Sequence, residues 1–162
     1  LATSGIAARD RIAIRGGSAG GLLVGACITI DPERFRAAIA EVPFVDVTTT
    51  MSDPTLPLTV TEWEEWGDPR SEPYASYIES YSPYDNTAPN DYPALLVTAG
   101  LNDPRVSYHE PAKWVAKLRQ VRTNDRPLLL RTEMGAGHAG PSGRYDAWRD
   151  EARVLAFLLR TL

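Results

Sequence analysis

Cysteine is almost absent from this chain, with Cys27 the only one among 162 residues. A single thiol forms no intrachain disulfide and no Cys-based zinc site, and a reducing compartment is its simplest setting. Histidine is scarce as well. His109 and His138 are the only two, so chemistry that needs an imidazole near neutral pH has two candidates. Long apolar runs are missing: the longest, residues 22–30, is interrupted by Gly25 and Thr29 and stops at Asp31, well short of a membrane span. There is no Lys/Arg run and the formal net charge is −4, which argues against a nucleic-acid partner and offers nothing to a membrane surface. No charged segment followed by an apolar core opens the chain, so no signal peptide is visible. Leu1 stands where an initiator Met would, and the expectation is a portion of a longer polypeptide.

What is present reads as an ordinary globular domain, 43% hydrophobic and 23% charged. Residues 11–15 (RIAIR) alternate like a short strand and run into a glycine cluster. An apolar stretch over residues 22–30 follows, long enough for a buried helix. Residues 37–42 read as a second strand, and residues 94–99 (ALLVTA) as a third, buried on both faces. Residues 128–132 (LLLRT) read as a fourth. Residues 111–121 predict a helix with Ala112, Val115, Ala116 and Leu118 on its apolar stripe. Residues 145–162 predict a closing helix whose packed face carries Trp148, Ala152, Leu155, Ala156 and Leu159. Between them, residues 46–91 look like an elaborated insertion with short helices near residues 62–66 and 74–81. Strands alternating with helices imply an α/β fold, a parallel sheet covered by helices. Such sheets bind ligands beyond the carboxyl ends of their strands.

Three residues stand at those ends. Gly16-Gly17-Ser18-Ala19-Gly20 matches G-x-S-x-G, a strand-to-helix turn that lifts a serine hydroxyl above the sheet. Side chains at the two flanking glycines are expected to collide in so tight a turn, and the N–H of Ala19 can face a developing oxyanion. A Gly-rich loop alone would equally serve a plain helix start or a phosphate. His138, in a glycine-rich loop after the fourth strand, is the candidate base, while His109 at a helix start suits a surface position. Asp103, in a turn after the third strand, is the candidate acid, although Asp before Pro is also a common turn pair. The order Ser18, Asp103, His138 is that of α/β-hydrolases.

These residues resemble the prolyl oligopeptidase family of serine peptidases, in particular its branch that cleaves after basic residues. The resemblance covers essentially the whole chain. It rests on the elbow, on Leu56-Pro57-Leu58-Thr59 leading to Glu62-Trp63-Glu64-Glu65-Trp66-Gly67, on Tyr81-Ser82-Pro83-Tyr84-Asp85-Asn86, and on residues 111–119 with Gly137-His138. It implies the C-terminal portion of an α/β-hydrolase domain and an endopeptidase acting on short peptides after Lys or Arg. It also implies a cytoplasmic enzyme with no metal or organic cofactor. Glu62 matches a glutamate of the family's S1 pocket, and Glu64 is a second acidic candidate. Read without the family, the same segment is an amphipathic turn in which Glu62 and Glu65 share one side, and Trp63 and Trp66 another. The resemblance further implies that early sheet strands, a capping β-propeller and an upstream tyrosine donating a second oxyanion hydrogen bond lie outside residues 1–162. The isolated chain is then expected to be poorly active, and its first strand to be an unpaired edge that invites a homodimer or pairing with another chain. An esterase or acylaminoacyl peptidase of the same fold, or a silent assembly domain, remains open at this point.

Overall fold

A computed structural model of the chain describes residues Leu1–Leu162. Four parallel strands lie in the order β1-β2-β3-β4: β1 (Ala13–Gly17), β2 (Ala37–Glu41), β3 (Ala94–Gly100) and β4 (Leu128–Glu133). Parallel neighbours need crossovers, and helices supply them. α1 (Ala19–Ile30) joins β1 to β2, and α5 (His109–Val121) joins β3 to β4. The long link from β2 to β3 carries α2 (Val47–Ser52), α3 (Thr59–Trp66) and α4 (Tyr74–Tyr81), and α6 (Arg144–Thr161) closes the chain. The expected α/β architecture is present. No helix is long and apolar enough to cross a membrane.

The sheet is covered unequally. On one face Val24 and Ile28 of α1 meet Ala38, Ala40, Leu95 and Val97, with Trp114, Val115 and Leu118 of α5. On the other, Ala37, Ile39, Ala94 and Leu96 meet Val154 and Phe157 of α6. Burying the Val, Leu, Ile and Phe side chains among these contributes about 1.5–3 kcal/mol each. β2 and β3, buried on both faces, form the centre, while β1 and β4 are the edges.

Several expectations need correction. β1 starts two residues later than expected and continues into the glycine cluster, through Gly17. The buried stripe of α5 is Pro111, Trp114, Val115 and Leu118, at i, i+3, i+4 and i+7, and Ala116 is exposed. Trp114 settles the register, because its indole is fully buried and donates to Thr87 Oγ1 at 3.0 Å. In α6 the packed face is Val154, Phe157 and Thr161, whereas Trp148, Leu155 and Leu159 are 61%, 49% and 84% exposed. That helix has two apolar stripes, and the expectation picked the outward one. α2 was not foreseen. Val-Thr-Thr-Thr is poor helix sequence, yet burial of Val47 and Met51 one turn apart holds it.

Candidate active site

Ser18 sits between β1 and α1 in the turn that the glycines allow. Its backbone has φ 56° and ψ −120°, strained for a residue with a Cβ, and its N–H donates to Glu41 O at 2.9 Å. As the N-cap of α1 it makes no side-chain cap bond, so the hydroxyl is not spent on the helix. Ala19 is the first helical residue, and N–H groups of the first turn have no intrahelical acceptor. The glycine argument holds for one flank only. A Cβ on Gly16 would be driven into Gly20 O, but one on Gly20 would meet nothing. Gly21 is the other restricted position, since a Cβ there would come within 2.6 Å of Pro43.

Asp103 follows β3 and does two jobs at once. Oδ1 accepts the N–H groups of Arg105 at 2.8 Å and Val106 at 3.0 Å, which closes its turn. Oδ2 lies 2.7 Å from His138 Nδ1. The Asp103 side chain is 0% exposed and that of His138 20%, so the carboxylate is screened from water while the imidazole keeps an open edge. With Nδ1 donating to the carboxylate, Nε2 is free to accept a proton. Ser18 hydrogen-bonds neither partner, an open geometry common before substrate orders a site. His109 sits in the first turn of α5, exposed, with Nδ1 2.6 Å from Ser107 Oγ.

Two glycines that spacing alone did not single out bring the imidazole to the aspartate. A Cβ on Gly100, the last residue of β3, would stand 2.7 Å from Gly137 O and 2.9 Å from Ala136 O. A Cβ on Gly137 would in turn stand 3.0 Å from Asn102 O. The histidine loop therefore lies directly against the aspartate loop, and Asn102 N donates to Ala136 O at 3.2 Å. A glycine ending an apolar strand was the available signal. Val42, just past β2, is a second residue held at positive φ, 40°, rare for a β-branched side chain.

Ser18, Ala19 and Asp103 border a cavity of about 380 Å³. Phe44, Met51 and Trp66 give it apolar walls, and Glu62, Glu65 and Glu110 join Asp103 as its four carboxylates against one guanidinium, Arg105. Glu64 points elsewhere: it is exposed and does not line the cavity. Trp66 faces the same way as Glu62, one turn away, and its indole N–H donates to Glu62 Oε2 at 3.0 Å. Trp63 donates instead to Met51 O at 3.0 Å. Glu110 is buried, and that desolvation pushes its carboxyl pKa up, with the nearby Asp46 carboxylate adding to it and hydrogen bonds from Thr50, Asp46 and Val45 opposing it. His138 borders a second cavity, of about 310 Å³, with Leu96 and Val154 on the α6 side of the sheet.

The model of the prolyl oligopeptidase family matches residues 1–162. Protease 2 of Moraxella lacunata is 54% identical over 152 residues, covering 94% of this chain and 22% of that protein. Dipeptidyl aminopeptidase BI of Pseudoxanthomonas mexicana is 51% identical over 162 residues, covering 100% of this chain and 22% of that protein. Among solved structures, oligopeptidase B from Trypanosoma brucei with covalently bound antipain superposes with a TM-score of 0.97 at 48% identity, over 99% of this chain and 23% of that one. The chain thus spans under a quarter of the length of these relatives.

Proposed function

The chain belongs to the prolyl oligopeptidase family, and from that premise we propose that it is the C-terminal part of the catalytic domain of a serine endopeptidase that cuts short peptides after Lys or Arg. The observation that carries the reading is the 2.7 Å contact of His138 Nδ1 with the buried Asp103 carboxylate, beyond the same sheet edge as the strained Ser18. In this reading Ser18 Oγ attacks the scissile carbonyl and passes its proton to His138 Nε2. Asp103 holds the imidazole in the competent tautomer and stabilises its positive charge. The N–H of Ala19 bonds the oxyanion. His138 then gives the proton to the leaving amine, and water releases the acyl group from Ser18. The covalent antipain on the trypanosomal relative accords with a nucleophile of this kind.

Specificity is assigned to Glu62. A cationic side chain entering the cavity would meet its carboxylate in a space that Phe44 and Trp66 also line, where low dielectric strengthens a charge-assisted bond. Glu64, exposed and outside the cavity lining, is not assigned that role. The share of the relatives' length lying outside this chain leaves room for the upstream strands, propeller and second oxyanion donor that the family resemblance implies. The reading includes a cytoplasmic enzyme, consistent with the lone Cys27, and weak activity for the isolated chain. An alternative follows from the similarity to a dipeptidyl aminopeptidase: a requirement for a free peptide amino terminus two residues from the cut would favour it over an endopeptidase.

The test is covalent labelling of the full natural polypeptide by a fluorophosphonate, followed by peptide mapping. The expected adduct is on Ser18 and disappears in Ser18→Ala. An adduct that persists in that variant would remove Ser18 from the mechanism.

A further inference from the structure

We propose that Glu110 is a positioning residue for substrate binding: from the first turn of α5 it fixes the cavity wall of residues 44–50 against the loop that carries Asp103. The inference rests on the reading that this cavity receives the substrate side chain.

The wall leaves β2 as a short irregular segment over residues 42–46 and runs into α2, and the backbone donors of that segment can be followed one by one. Val42 N donates to Thr98 O at 3.0 Å and Phe44 N to Ser18 O at 3.1 Å. The next two turn away from the sheet, and both go to one side-chain atom. Glu110 Oε2 accepts Val45 N at 3.2 Å and Asp46 N at 3.1 Å. Oε1 accepts the Thr50 hydroxyl at 2.7 Å, so the same carboxylate also ties down α2. Buried amides left without partners are costly, and no other side chain satisfies these two.

The position of Glu110 in the chain gives those bonds a consequence. Asp103 and Glu110 lie on one short stretch, Asp103 closing the turn that leads into α5. One carboxylate therefore clamps the substrate wall, which includes Phe44, to the segment that also holds His138 through Asp103. Val42 at positive φ strains the start of the wall, and a strained segment stays in place only when its surroundings hold it. One turn further along α5, Lys113 pairs with the Asp46 carboxylate and lies 4.4 Å over the Tyr84 ring, reinforcing the same junction.

Hydrogen bonding, rather than charge, carries the role. A glutamine can reproduce all three contacts: its carbonyl oxygen accepts both amides, and its NH₂ donates to Thr50 Oγ1 once that hydroxyl turns. Ionisation of Glu110 opposes folding, because burial raises its carboxyl pKa above the unfolded value. That cost is present at neutral pH and vanishes as pH falls below the unfolded value. Glu110→Gln is therefore expected to melt no lower than wild type at pH 7, and Glu110→Ala to melt lower.

The experiment uses the full natural polypeptide, an Arg-terminated peptide amide, and the labelling rate of Ser18 by a small fluorophosphonate that does not occupy the cavity. Glu110→Ala should raise KM about tenfold or more, the scale of a sub-ångström to ångström misplacement of a binding wall, while labelling stays within about threefold. Glu110→Gln should return KM to within about threefold of wild type. Thr50→Val, which removes one bond of the three, should shift KM the same way by a smaller factor, and it keeps the test alive if Glu110→Ala does not fold. An unchanged KM in Glu110→Ala or Thr50→Val overturns the inference, and so does a Glu110→Gln variant as impaired as Glu110→Ala. A wild-type protein that labels at Ser18 but does not turn over the Arg substrate would instead overturn the specificity reading, and this inference with it.

Discussion

Asp103→Asn should cost about 10⁴-fold in kcat, the scale expected when the aspartate of a serine-peptidase triad is made neutral, with little loss of stability. The reason lies in the two oxygens. An asparagine can keep its carbonyl on the amides of Arg105 and Val106, where Oδ1 now sits, so the turn survives. Its NH₂ then faces His138 Nδ1 in place of Oδ2. Two donors cannot share a hydrogen bond, so the imidazole moves its proton to Nε2, the nitrogen that should accept from Ser18. The base is lost while the geometry stays. Single-turnover kinetics on a peptide amide, beside a denaturant melt, would check both halves. A variant with near-normal kcat would mean that Asp103 serves only its turn.

Glu62→Gln should lower kcat/KM for an Arg or Lys amide by about 10²-fold, the order of loss when one partner of a desolvated charge pair is neutralised. It should leave a neutral substrate within a few-fold. The substitution is nearly isosteric, and the glutamine carbonyl can still accept from Trp66 Nε1, as Glu62 Oε2 does at 3.0 Å. Shape is kept and charge removed, so the ratio between basic and neutral substrates isolates the electrostatic part. Glu65 also lines the cavity, and Glu65→Gln is the informative companion. Glu64→Gln, at an exposed residue outside the cavity, should behave as wild type. Equal losses on basic and neutral substrates in Glu62→Gln would make Glu62 a structural support of α3.

Local pattern carried the parts of the fold that local pattern determines. Strands buried on both faces, such as Ala94–Gly100, write themselves as continuous apolar runs, and the glycine cluster marks its turn because Gly16 tolerates no side chain. The elbow motif, the scarcity of histidine and the chain order together brought Ser18, Asp103 and His138 forward as candidates, and each follows its own strand in a parallel sheet. What the sequence hid depends on contacts distant along the chain. α2 exists because Val47 and Met51 find a core and Glu110 finds Thr50 across sixty residues. Nothing about a Glu next to Pro111 announces that it holds the backbone of Val45 and Asp46. Gly100 matters through Gly137, thirty-seven residues away in sequence, and no periodicity encodes that approach. The outer stripe of α6 misled for a related reason: two apolar faces on one helix cannot be ranked without seeing which one the sheet takes.

Serine-dependent cleavage after a basic residue is read by fluorophore release from N-blocked peptide amides ending in Arg, Lys or a neutral residue, with the full natural polypeptide and its Ser18→Ala variant. Release should depend on Ser18 and run at least tenfold faster after Arg or Lys than after a neutral residue. Release that survives Ser18→Ala, or that shows no preference for a basic residue, would contradict the proposed function.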